Sequence, residues 1–69
     1  MRVQLSVKEN QRDNFVKEYS KLDNADYLDI VSGHIDPLHR DRIIFTIDYD
    51  KFNKLKHNIT GYRLVNALI

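Results

Sequence analysis

The sequence predicts an α+β domain, a ferredoxin-like βαββαβ two-layer sandwich whose antiparallel sheet has the strand order 4-1-3-2. Three observations carry this expectation. The chain opens with period-two alternation, two charged segments have apolar residues at helical spacing, and runs rich in β-branched and aromatic residues lie between and after them. In order these give β-α-β-β-α, and a last strand completes two β-α-β units on one sheet.

In residues 1–7, MRVQLSV, Val3, Leu5 and Val7 fall on one face and Arg2, Gln4 and Ser6 on the other, as in a half-buried strand. A helix is predicted over 9–22, where Phe15, Val16, Tyr19 and Leu22 recur at i, i+1, i+4 and i+7 among charges. Ser6 and Glu9 have capping-box spacing at its start, and Asp23-Asn24 offers a polar stop. YLDIVSGHI at 27–35 has no helical spacing and reads as the second strand; RIIFTID at 42–48 alternates and reads as the third. Between them HIDPLHR is a hairpin loop, because Pro37 cannot donate a ladder hydrogen bond and pushes Asp36 into an extended conformation. In DYDKFNKLKHNI, 48–59, Phe52, Leu55 and Ile59 form one stripe. Aspartates lead it and Lys54, Lys56 and His57 trail it, so a second helix closes before Gly61. GYRLVNALI would also make a helical face through Leu64, Val65, Leu68 and Ile69, but the preceding order selects a strand over 62–69.

Residues 1–69 form a single domain, which buries only about 60% of the surface that its unfolded chain exposes. The chain has no cysteine, which removes disulfides, thiolate metal sites and cysteine nucleophiles, so packing must supply the stability. No apolar run is long enough for a membrane span or a signal peptide, and a cytoplasmic protein is expected. Eleven basic side chains nearly cancel ten acidic ones, which removes the broad positive field of non-specific nucleic-acid binding. Aspartate outnumbers glutamate eight to two, and with abundant asparagine, lysine and isoleucine this reads as an AT-rich coding genome.

The decapeptide GHIDPLHRDR, 33–42, gathers two histidines, two aspartates, two arginines and the only proline. His34, Asp36, His39 and Asp41 are metal-ligand types, but H-x-D-x-x-H-x-D is no established metal motif. Turn chemistry explains Asp-Pro, with Arg40 and Arg42 expected to pair with Asp36 and Asp41 in solvent. Leu38 at the tip of a charged loop suits a protein contact. Ser32-Gly33-His34 is similar to the histidine beside glycine in small ribonuclease toxins, with Arg40 and Arg42 as cations for a phosphorane.

Other chemistries lose support. The predicted outward residues Arg2, Gln4, Ser6, Ile44 and Thr46 give no stacking platform for bases, and Phe15, Tyr19, Phe45 and Phe52 are better used as core. A cysteine pair in the first loop, an amino-terminal proline, a glycine-rich phosphate loop and a nucleophile elbow are all missing. Lys8, Arg12, Lys17, Lys21, Lys51, Lys54 and Lys56 would form a positive helical surface, interrupted by Asp13, Glu18, Asp23, Asp48 and Asp50.

Helices cover one face of such a sheet, which leaves Val31, Ile44 and one face of the last strand bare. The sequence therefore predicts a small non-catalytic protein-interaction module, a regulator or inhibitor of the sort carried by phages and other mobile elements. It would bind a protein partner or form a homodimer through the open sheet face. Val31, Leu38, Arg40, Arg42, Ile44 and Tyr62 are the expected contacts, with no cofactor, metal or catalytic residue assigned. The alternative is nucleic-acid binding, with or without cleavage, through Arg40, Arg42 and the helix lysines.

Overall fold

The computed structural model describes residues 1–68, with side chains through residue 66. The described elements are β1 (Arg2–Lys8), α1 (Arg12–Ser20), α2 (Tyr27–Val31), β2 (His34–Asp36), β3 (His39–Asp48), α3 (Tyr49–Leu55) and β4 (Tyr62–Leu68). Short 3-10 turns at Glu9–Gln11 and Lys56–Asn58 complete them. The sheet is antiparallel and runs β2-β3-β1-β4, the predicted strand order read from its other edge. The last segment is the strand that was expected; Ile69 lies outside the described residues.

Alternation in β1 sets the layers. Val3, Leu5 and Val7 lie opposite Ile47, Phe45 and Ile43 of β3, so all six share one face. Phe15 and Tyr19 of α1, Phe52 and Leu55 of α3, and Ile59 close over that face to make the core. Phe15 stacks on Phe45 with ring centroids 4.6 Å apart, and Phe52 meets Tyr62 edge-on at 5.5 Å. The apolar stripes read from the sequence are these contacts.

The predicted strand over 27–35 is instead helix α2 followed by a three-residue strand, so Val31 sits on a helix. Its N-cap is Asp26, whose carboxylate accepts the Leu28 N–H at 3.0 Å. Helical turning also buries Asp29 while Tyr27, Leu28 and Val31 face outward, an outcome fixed by tertiary partners rather than by β propensity. Ser6 does not cap the first helix: it lies inside β1, and α1 begins at Arg12 after a 3-10 turn. Ile44, expected to be bare, is 8% exposed, and Ser6 beside it is 0% exposed.

Gly33, between α2 and β2, is required by close approach. A Cβ there would stand 2.5 Å from the Phe45 ring and 3.2 Å from the Ile30 carbonyl oxygen. Gly33→Ala is therefore expected to lose about 1–3 kcal/mol through overpacking, read as a lower urea midpoint with unchanged slope.

Candidate functional site

What covers Ser6 and Ile44 is the chain's own hairpin tip. Asp36 Oδ1 accepts the Leu38 N–H at 2.9 Å, and Pro37 fixes the backbone between them, so Asp36 and His39 pair across a two-residue turn. The β2–β3 register then jumps from Asp36↔His39 to Ile35↔Ile43, leaving residues 40–42 without partners on β2. An irregularity of this kind bends the ladder.

Three side chains tie the bent tip to β1. Ser6 donates its hydroxyl to Asp36 Oδ2 at 3.2 Å and accepts Arg42 Nε at 2.7 Å. Arg42 Nη2 also donates to the Ser6 carbonyl at 2.7 Å and to the Gly61 carbonyl at 3.2 Å. Gly61, at φ +68, takes the left-handed conformation that glycine adopts without steric cost, and the same carbonyl accepts the Lys8 N–H at 3.0 Å. The Leu38 N–H is the main influence holding the Asp36 carboxyl below its ordinary pKa. Burial opposes it, and the Ser6 hydroxyl and the nearby His39 add to it.

Between this tip and β4 runs a groove of about 380 Å³. It is lined by Asp36, Pro37, Leu38 and His39 at the tip, by Ile44 of β3, and by Arg63, Leu64 and Val65 of β4. β4 carries an extra residue at this point, since Leu64 pairs with Leu5 but Asn66 with Gln4, leaving Val65 between them. Leu38 is 84% exposed, and Leu64 and Val65 are half-exposed.

Of the residues proposed from sequence as contacts, Leu38 and Ile44 line this groove. Arg42 lies beside it and is committed to Ser6 and Gly61, so the expected pairing with Asp36 and Asp41 gives way to uncharged partners. Arg40 is exposed on the unmatched stretch, Val31 is on α2, and Tyr62 packs against the core. Arg63, Leu64 and Val65 escaped sequence reasoning because alternation along a strand does not reveal an extra residue. Among the described residues no three histidine, aspartate or glutamate side chains converge to hold a metal ion. On the helices, Lys21 pairs with Glu18, Arg12 with Asp13, and Lys51 is buried, which breaks up the positive surface expected there.

Lys51 belongs to a second polar cluster, within the helix layer. Asp29, 4% exposed, accepts hydrogen bonds from the Tyr19 hydroxyl, from Arg2 Nη2 at 3.2 Å and from Lys51 Nζ at 3.4 Å. Tyr19 accepts the Asp26 N–H at 3.1 Å, and Lys51 Nζ stands 5.9 Å from the centre of its ring. Burial alone would raise the Asp29 carboxyl, but Tyr19, Arg2 and Lys51 together hold it below its ordinary value. Burial and the bond to Asp29 push the Tyr19 phenol up. Burial would lower Lys51, yet Tyr19 and Asp29 keep it raised. The cluster ties α1, α2, α3 and the start of β1 together.

The pH dependence follows from these directions. A depressed carboxyl contributes stability above its unfolded pKa and loses it as pH falls through the folded value; the raised Tyr19 and Lys51 lose theirs as pH rises past their folded values. Urea midpoints are expected to be flat from about pH 5 to about pH 9 and to fall on both sides. Asp29→Asn should make the acid limb shallower, leaving the part due to Asp36.

No helix among the described residues is long and apolar enough to cross a membrane. No protein-family model, curated protein or solved structure matches the chain.

Proposed function

We propose that this chain is a ferredoxin-like, non-catalytic docking module that regulates or inhibits a protein partner by seating part of it in the groove between the hairpin tip and β4. The ferredoxin-like designation is supported by the strand order and the placement of helices between β1 and β2 and between β3 and β4. One observation carries the functional reading: exposed Pro37, Leu38, Leu64 and Val65 line one groove with Ile44 in a domain this small. The shifted titratable groups Tyr19, Asp29 and Lys51 are sealed in the helix layer and satisfied by one another, which suits a structural use.

A photo-crosslinking residue at Leu38, compared with one at exposed Lys17 on α1, tests the reading in the cells that make the protein. A discrete protein adduct from position 38 only, lost on Val65→Asp, is expected. The same products from both positions, or none from 38, would overturn it. Crosslinked nucleic acid, with retention on RNA or DNA that falls steeply with salt, would establish the nucleic-acid alternative instead.

A further inference from the structure

We infer that the occupant of the groove is an acidic peptide segment of a partner protein that inserts one bulky aliphatic side chain between Leu38 and Val65. This rests on the docking reading above and goes further, because it fixes the chemistry of the partner. Charge decides it. Arg63 lines the groove and has no ion-pair partner among the described residues. Asp36, the one acidic group lining the groove, is 5% exposed and is occupied by the Leu38 N–H and the Ser6 hydroxyl. What the groove offers a ligand is therefore the Arg63 guanidinium beside an apolar surface, with no exposed carboxylate to repel an acid, which complements a carboxylate next to a leucine- or isoleucine-like side chain.

Two other occupants fit less well. A second copy docking through the same face would offer Arg63 no exposed carboxylate from the groove lining, since Asp36 is buried. A single-stranded nucleic acid would find cations for its phosphates, but the lining holds no phenylalanine, tyrosine or tryptophan on which a base stacks.

The test is titration of isotope-labelled protein with a short synthetic peptide of alternating aspartate and leucine. Three comparison probes are an alanine-for-leucine version, a lysine-for-aspartate version and oligouridylate. The inference expects shifts of the amides of 36, 38, 39 and 63–65 with the Asp-Leu peptide. Affinity should drop about tenfold or more when leucine becomes alanine or when Arg63 becomes glutamate. The milder Arg63→Gln should weaken binding in the same direction, and the spectrum of each free variant shows directly that it is folded. Shifts at the helix lysines, equal affinity for the alanine or lysine peptide, preference for oligouridylate, or no binding would each overturn the inference. So would a concentration-dependent rise in mass by light scattering that Arg63→Glu abolishes, since the occupant would then be another copy. If the Asp-Leu peptide fails while Leu38 still crosslinks to one protein, the docking reading stands and the acidic partner falls; if both fail, both fall.

Discussion

Asp29→Ala is expected to lose about 3–5 kcal/mol, which leaves the domain largely unfolded at 25 °C. The size of the effect comes from what the carboxylate leaves behind. Lys51 is 8% exposed and would become a buried cation with no counter-charge, and the buried Tyr19 hydroxyl would be left with only the Asp26 carbonyl at 3.5 Å. Arg2, half-exposed, is solvated either way and adds little. Circular dichroism during urea titration measures the loss, and Asp29→Asn, which keeps the shape and an acceptor for Tyr19, should lose less. Pairing Asp29→Ala with Lys51→Met removes the stranded charge and should recover part of the stability. A single-variant loss under about 1 kcal/mol would mean that the cluster does not hold α2 in place.

Phe45→Ala is expected to lose about 3–5 kcal/mol by a different route. Its ring is 1% exposed, stacks on Phe15, and fills the space against which Gly33 is pressed. Neighbours on three sides are thus fixed by a strand, a helix and a close-packed backbone turn, so the site cannot collapse to fill the void. A domain of 69 residues without disulfides has little reserve, and the expected readout is loss of a cooperative thermal transition near room temperature. Phe45→Leu, which retains much of the volume, should lose less and keep the transition.

How far the sequence could be read depended on whether a signal was local. β1 announced itself because Val3, Leu5 and Val7 alternate and their partners Ile47, Phe45 and Ile43 alternate too. The two long helical stripes, through Phe15 and Tyr19 and through Phe52 and Leu55, needed only spacing, and the β-α-β-β-α order then selected a strand for 62–69, which the structure describes over Tyr62–Leu68. α2 was misread because its decisive features lie far away: Asp29 is drawn inward by Arg2, Tyr19 and Lys51, from three other elements. Its one local clue was Asp26 at an N-cap position, outweighed in the sequence by Tyr27, Ile30 and Val31.

The groove was legible only in part, for a similar reason. Asp36-Pro37 spelled a turn and Leu38 an exposed apolar tip, but the direction in which the tip leans is set by Ser6 and Arg42. Ser6 stands 30 residues before Asp36, and no periodicity links the two. The expectation that helices cover one face and leave the other bare therefore missed a hairpin that roofs its own sheet. That roof turns a flat apolar surface into a groove of about 380 Å³.

The most direct test of this account is the position of the tip in solution. A NOESY spectrum of the isotope-labelled protein should show cross-peaks between the side-chain protons of Asp36 and Ser6, and between the Leu38 amide proton and the side chain of Asp36. Arg42→Ala should weaken both sets while the core contacts of Phe45 persist. A tip with random-coil shifts and no cross-peaks to β1 or β4 would contradict the account, because the groove, its charge and its proposed occupant would go with it.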